Sequence, residues 1–190
     1  MLLTEKISLI ILGLTMGAQV FRRSLLVQYV KSVWRLSVLG IFGILGYWTY
    51  LHYETWSANS FTKAFLPPYQ SFGYFYSYVG SRLVAPWLIA LLAAYLVSGI
   101  AARLNKRFGG RFFEEEEVRF ISLGTFLSGY PGFLFYLIFV LSSAVILSFF
   151  YTSMGRGRAP LYYLWLPLAI FAIIVKNWLL PGELLSQFNL

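Results

Sequence analysis

The chain has 190 residues, of which 59% are hydrophobic, 20% are aromatic and 12% are charged, and its mean hydropathy is +0.70. Soluble domains carry about 25% charged residues, so this composition indicates an integral membrane protein whose surroundings are the lipid bilayer. The sequence contains no Cys and no Asp, which excludes disulfides, thiol nucleophiles and any mechanism that needs an aspartate. The net charge of +8 does not indicate a nucleic-acid partner, because Lys and Arg accumulate in the cytoplasmic loops of membrane proteins.

Six hydrophobic spans are predicted, which makes the fold an all-α, polytopic transmembrane helical bundle in one domain, residues 1–190. A helix needs about 20 residues to cross a hydrocarbon core of about 30 Å. The uncharged run Phe120–Gly155 has 36 residues, nearly twice that length, so we divide it at the glycine- and proline-rich turn Ser128–Gly132. The first and fourth spans are short enough to be thin, tilted or re-entrant. The predicted spans are residues 7–21, 36–51, 83–102, 114–128, 132–151 and 159–176.

Two segments lie between the predicted spans. Residues 22–35 place apolar and basic side chains on different sides of a helix, which predicts an amphipathic segment in the headgroup plane; alternatively, these residues extend span one or two. The predicted external loop 52–82 holds ten aromatic residues between Tyr53 and Tyr78. We interpret them as an aromatic belt at the membrane interface, and a stacking surface for a glycan or peptide is the alternative.

The basic residues predict the orientation of the chain. Eleven of the fifteen Lys and Arg residues fall in three loops that share one side of a six-span protein. We therefore expect that side to be cytoplasmic and both termini to be external. The predicted location is the cytoplasmic membrane, which is the inner membrane of a bacterial cell.

An acidic run, Glu114–Glu117, directly precedes the fourth span and holds four of the seven acidic residues. Acidic side chains are stabilised in the first turn of a helix, and Glu115 has the i,i+4 spacing for ion pairs with Arg111 and Arg119. Successive helical residues are about 100° apart, so at least one of the four must point into the bundle. Glu117, the nearest to the hydrocarbon, is the candidate, either as a functional carboxylate or as a structural one at the interface.

Other candidate groups are weaker. His52, the only histidine, lies with Glu54 on the predicted outer side, across the membrane from the acidic run, so these groups cannot share a metal. Lys176 lies near the outer end of the last span, where its side chain can snorkel to the interface. No motif for serine hydrolysis, zinc binding or nucleotide binding is present. We therefore predict no metal site and no cofactor.

The order of these features resembles the six-span core of prepilin (type IV leader) peptidases and preflagellin peptidases. In that family a basic loop with glycines ends in Gly-x-Gly-Asp followed by Val-Lys-Leu, and this Asp is one of two catalytic aspartates. The matching stretch here, Glu114–Phe120, reads EEEEVRF and has Glu117 at the Asp position. It is followed by Leu123–Gly132, where the family has a small-residue helix and a glycine-containing turn. Residues 156–167 then resemble the basic loop and the proline-bearing final span of the family.

The resemblance covers residues 7–180 by topology and residues 103–170 by motif, and the Gly-x-Gly-Asp signature itself is absent. The first catalytic Asp of the family would fall within Met16–Phe21, which holds Gln19 and no acidic residue. Aspartic proteolysis needs two carboxylates that share one proton. All acidic residues outside the Glu run are predicted on the outer side, so none can complete such a pair. The resemblance therefore implies a degenerate member that lacks both catalytic Asp residues.

We predict a multi-pass membrane protein that is a pseudoenzyme and not an active peptidase. Its predicted function is to bind a membrane partner, such as a pilin-like protein of a type IV pilus or a secretion component. Glu117 is the central candidate, with Glu114, Glu115, Glu116 and Arg119 as partner-binding residues. One alternative is an active, membrane-embedded endopeptidase of the aspartic type in which Glu117 is catalytic. The other is a small transporter or channel subunit in which Glu117 carries a proton or a cation.

Overall fold

The computed structural model describes residues 3–110, 113–155 and 161–180, and every regular element in these ranges is a helix. The α-helices are α1 (Leu3–Phe21), α2 (Arg23–Ala58), α3 (Phe72–Val79), α4 (Ala85–Arg107), α5 (Glu115–Ser128), α6 (Gly132–Ser153) and α7 (Trp165–Leu179). A 3-10 turn, Thr62–Phe65, lies between α2 and α3, and a π-helical turn, Gly80–Val84, joins α3 to α4. The predicted all-α class is confirmed.

Four helical segments are long and apolar enough to cross a membrane, namely Leu3–Phe21, Leu26–Ala58, Phe72–Arg107 and Gly132–Ser153. They support the prediction of a helical membrane protein. The two remaining long helices are shorter, since α5 has 14 residues and α7 has 15. At 1.5 Å per residue each spans only about 21–23 Å, less than a hydrocarbon core of about 30 Å. Six crossings therefore stay a prediction.

Both segments predicted to lie between spans are largely helical in the structure. Residues 23–35 are not a separate helix in the headgroup plane but the first turns of α2, which continues unbroken to Ala58. That stretch contains no proline or glycine, so nothing in it ends a helix. In the predicted loop 52–82, the end of α2 covers the first seven residues, and a helix begins again at Phe72.

Helix α5 is the centre of the bundle and contacts α1, α2, α4, α6 and α7. Every residue from Phe120 to Gly129 is buried. The hydroxyl groups in this stretch are satisfied inside the helix, because Thr125 donates to the carbonyl of Ile121 and Ser128 to that of Gly124, both at 2.7 Å. A helix enclosed by other helices does not need an apolar face toward lipid. This explains how a short segment with several hydroxyl residues occupies the core.

Close packing between α5 and α6 requires a glycine at position 124. A Cβ atom at Gly124 would lie 2.7 Å from both Cζ and the hydroxyl oxygen of Tyr136 on α6. The Tyr136 side chain is fully buried, and its hydroxyl has no hydrogen-bond partner among the described residues. The tyrosine ring therefore occupies the volume that any side chain at position 124 would need.

The two ends of the bundle differ in chemistry. The basic end holds the α1–α2 junction, the end of α4 and the starts of α5 and α7, whereas the aromatic end holds the start of α1, the ends of α2 and α7 and the α5–α6 turn. At the aromatic end, residues of the predicted aromatic loop pack on one another around Trp56. Its ring centroid lies 5.0 to 6.4 Å from those of Phe65, Tyr74, Phe75 and Tyr78.

Candidate functional site at the basic end

Helix α5 begins with a capping box made by two residues of the acidic run. The Glu114 carboxylate accepts the backbone N–H of Glu117, and Oε2 of Glu117 accepts the backbone N–H of Glu114 at 2.7 Å. Consecutive glutamates place an acidic side chain at both the N-cap and the third helical position, which is the spacing that this motif needs. Two backbone donors that the start of a helix leaves without intrahelical partners are thereby satisfied.

Among the described side chains of the acidic run, that of Glu117 points into the bundle, and only 3% of its surface is exposed. The indole Nε1 of Trp165, the first residue of α7, donates to Oε1 of Glu117 at 3.3 Å. The ring of Phe113 lies against the Trp165 ring, with centroids 5.9 Å apart. Both carboxylate oxygens of Glu117 therefore accept hydrogen bonds from donors held by the fold, and the carboxylate ties the start of α5 to the start of α7.

The other predicted partner-binding residues lie around this buried carboxylate. Glu114 is half-exposed and forms an ion pair with Arg23 at the start of α2, where Nη2 and Oε2 are 2.5 Å apart. Glu116 is partly exposed, and Arg119 lines a groove between α2, α4 and α5. Outside the described part of the chain lie the side chain of Glu115 and residues Arg111, Arg156, Arg158 and Glu183.

Gln19 lies at the same end of the bundle and is buried. Its Nε2 donates to the backbone carbonyl of Tyr162 at 2.6 Å, which fixes the turn before α7 to the end of α1. The guanidinium of Arg23 lies 4.4 Å from the centre of the Tyr162 ring. Where the family resemblance expects an aspartate near the end of the first span, this chain has an amide with a structural partner.

A second carboxylate from another helix does not meet Glu117 among the described residues. The Glu5 carboxylate is paired with Lys176 at the aromatic end. The Glu54 carboxylate accepts a hydrogen bond from the Tyr50 hydroxyl at 2.5 Å. In the ranges that the structure describes, no group of three or more His or Glu side chains could hold a metal ion. Among the residues that the structure describes, the basic end therefore presents one buried carboxylate with fixed donors and not two carboxylates that share a proton.

A buried ion pair joins α1 to α7 at the aromatic end. Nζ of Lys176 donates to Oε1 of Glu5, and the side chains of Lys176 and Glu5 are only 4% and 7% exposed. The prediction that Lys176 snorkels to the interface was wrong, because the carboxylate of Glu5 compensates its charge inside the bundle. The two residues are 171 positions apart, so no local spacing could link them. The available signal was the presence of charged residues in two apolar helices, Glu5 and Lys6 in α1 and Lys176 in α7.

The Glu5–Lys176 pair opens on a cavity of about 310 Å³. His52 and Arg82 line this cavity together with Lys176 and the carboxylate of Glu5. Three described basic groups and one carboxylate therefore face a space whose walls, which include Trp87, are mostly apolar. His52 and the acidic run do lie at opposite ends of the bundle, as the sequence predicts. The fold thus assembles a second polar centre that sequence reasoning did not find.

Comparisons with known protein families, with curated proteins and with solved structures found no match to this chain. The resemblance to prepilin peptidases therefore rests on the order of the predicted spans and on the stretch that begins at the acidic run.

Proposed function

We propose that this protein is a non-catalytic, multi-pass protein of the cytoplasmic membrane with a prepilin-peptidase-like arrangement, and that it binds a membrane partner at its basic end. The hydrogen bonding of Glu117 is the observation that supports a non-catalytic role. Its two carboxylate oxygens accept hydrogen bonds from the Glu114 backbone and the Trp165 indole. A catalytic carboxylate of an aspartic peptidase must reach water and share a proton with a second carboxylate. The Glu117 carboxylate instead caps α5 and binds the first residue of α7, which suits a structural role.

The surface next to Glu117 supports the binding part of the proposal. Arg23 and Glu114 form a half-exposed ion pair there, and the ring of Tyr163 is exposed beside them. Exposed ion pairs contribute only about 0–1 kcal/mol, so a partner can replace one half of such a pair at little cost. The acidic groups Glu114 and Glu116 suit a partner with a basic or polar group near the membrane surface, such as a pilin-like helix or a secretion component.

The orientation belongs to the same proposal. Eleven of fifteen basic residues lie in the loops assigned to the basic end, so this end is cytoplasmic and both termini are external. Six crossings require α5 and α7 to sit within a bundle that is locally thinner than an average bilayer, since each is shorter than the hydrocarbon core.

The test is to mix the purified full-length protein with a leader-bearing pilin-like precursor and to measure both binding and cleavage. We expect the precursor to bind and to remain uncleaved, and we expect Glu114→Lys to weaken binding. Glu54→Lys, which makes the same charge change at the opposite end, is the matched control and should leave binding unchanged. Cleavage that Glu117→Gln abolishes would establish the peptidase alternative, and failure of the precursor to bind would refute a pilin-like partner.

A transporter or channel subunit is the second candidate function, and the buried Glu5–Lys176 pair beside a cavity is the observation that favours it. Ionisable groups inside membrane helices often mark an ion path. We rank it second because the described residues that line the cavity all lie at the aromatic end, while buried side chains of α5 fill the centre of the bundle. Proton or cation flux into proteoliposomes that Glu5→Gln abolishes would reverse this ranking.

A further inference from the structure

A second cavity, of about 220 Å³, lies between α2, α4 and α5 at the basic end, and we call it the basic groove. Three of its described lining residues are cations, namely Lys31 and Arg35 from α2 and Arg119 from α5. No acidic side chain is among the lining residues that the structure describes. Lys31 and Arg35 play no part in the proposed function, and their charges predict an anionic ligand.

Aromatic and hydroxyl side chains form the floor of the basic groove. The indole Nε1 of Trp34 donates to Oγ of Ser122 on α5 at 2.9 Å. The Trp34 ring also meets the ring of Tyr95 on α4 edge to face, with centroids 5.2 Å apart. These two rings cross the gap between α2 and α4, and Ser98 lies beside them. Trp and Tyr side chains are enriched where lipid headgroups meet the hydrocarbon. Trp34 and Tyr95 therefore suggest that the groove lies at that depth.

The length of α2 independently places the basic groove at the depth of the headgroups. The apolar part of α2, Leu26–Ala58, has 33 residues and is about 50 Å long. It exceeds a hydrocarbon core of about 30 Å by roughly 20 Å. Lys31 and Arg35 lie in its first third, toward the basic end, and Arg119 lies in the second turn of α5. The cations therefore stand where phospholipid phosphates are found.

Exposed apolar side chains continue both walls of the groove toward the middle of the bundle. On α2, Leu39 follows Arg35 by one turn and is 69% exposed. On α4, which runs the opposite way, Leu92 precedes Tyr95 by one turn and is 62% exposed. Residues three or four apart share a face of a helix. The walls thus change from cationic to apolar in the same direction as a lipid changes from headgroup to acyl chain.

We propose that the basic groove binds the headgroup of an anionic glycerophospholipid, with its phosphate at Lys31 and Arg35 and its acyl chains along Leu39 and Leu92. Guanidinium groups bind phosphate oxygens in a bidentate manner, and a lysine adds a point charge. A zwitterionic lipid has the same phosphate but also carries its own cation, which Lys31 and Arg35 repel. This inference is independent of the partner that the proposed function assigns to the surface around Glu114.

The test is native mass spectrometry of the purified full-length protein with equal amounts of phosphatidylglycerol and phosphatidylcholine in detergent. We expect the wild type to retain phosphatidylglycerol in preference. The double variant Lys31→Gln/Arg35→Gln should bind it about 25-fold more weakly, because each basic group near an anionic lipid contributes a factor of about five. Arg103→Gln/Lys106→Gln removes the same charge from exposed positions of α4 outside the groove and should have less than a twofold effect. Equal losses in both double variants, or no loss in the first, would overturn the proposal.

A variant that keeps every charge tests the groove itself. Ser98→Phe fills the groove, and the Ser98 hydroxyl donates only to carbonyls of its own helix, so other helices lose no hydrogen bond. We expect this variant to keep the helical circular dichroism of the wild type and to lose preferential phosphatidylglycerol retention. Full retention by Ser98→Phe would refute a lipid in the groove. Inorganic phosphate at millimolar concentration should not displace the lipid, and displacement would instead identify a site for free phosphate.

Discussion

The buried ion pair between Glu5 and Lys176 gives the sharpest test of how this fold is held together. Lys176→Met keeps an unbranched side chain, which can still pack beside Gly132. A Cβ atom added to Gly132 would lie 3.2 Å from Cδ of Lys176, so the two residues are close. The variant removes the ammonium group of Lys176. The Glu5 carboxylate then has no cationic partner in a site where its side chain is only 7% exposed. Glu5→Gln leaves the opposite charge, that of Lys176, without its carboxylate.

The expected effects are large for the single variants and small for the double variant. Breaking a buried pair by removing one partner lowers the free energy of unfolding by about 3–5 kcal/mol, because an uncompensated charge stays buried. Removing both charges together is often close to neutral. We therefore expect Glu5→Gln and Lys176→Met each to lower Tm by about 6–20 °C, and Glu5→Gln/Lys176→Met to come within a few degrees of the wild type.

The measurement is thermal unfolding in one detergent, followed by tryptophan fluorescence, to which Trp87 in the wall of the adjoining cavity contributes. Lys63→Met, at an exposed lysine of the 3-10 turn, removes the same charge and should shift Tm very little. Additive losses in the double variant would show that the two charges are not energetically coupled. That result would refute the assignment of a structural ion pair.

Three further outcomes follow from contacts in the structure. Gly124→Ala should lower the free energy of unfolding by about 1–3 kcal/mol, because the added methyl group overlaps Tyr136. In the Tyr136→Leu background, thermal unfolding should show that Gly124→Ala causes a much smaller loss. An equal loss in both backgrounds would contradict the packing argument. Glu117→Ala should cost about 1–3 kcal/mol in chemical denaturation, because the Trp165 indole and a helix-start N–H both lose their acceptor. Glu117→Gln keeps one acceptor oxygen and leaves only one of these donors unpaired, so it should cost less than Glu117→Ala; equal effects would show that the charge and not the hydrogen bonding matters. In intact cells an impermeant maleimide should label Tyr130→Cys, and labelling only after lysis would reverse the proposed orientation.

Composition and hydrophobic run length were enough to predict an all-helical membrane protein and the approximate position of each long helix. These properties are local, because a helix that faces lipid must satisfy its own backbone and present apolar side chains over its whole length. The turn between α5 and α6 was also predictable, since Gly129 takes a positive φ of 62° there and the following residues cannot continue the helix. The inward position of Glu117 followed from helical geometry, because four consecutive residues cannot all face outward.

Only the tertiary structure decided which partners the polar groups meet. Residues 23–35 have an amphipathic pattern, yet they form the first turns of α2, which is the alternative that the sequence left open, since a pattern of faces does not specify where a helix ends. Lys176 was predicted to reach the interface because it lies near the outer end of the last span, whereas the fold brings Glu5 to it from the other end of the chain. The basic groove likewise exists because α2 and α4 both pack on α5 and leave a gap between them. Contacts between distant segments depend on how the helices pack in three dimensions, and local sequence patterns do not reveal which helices pack together.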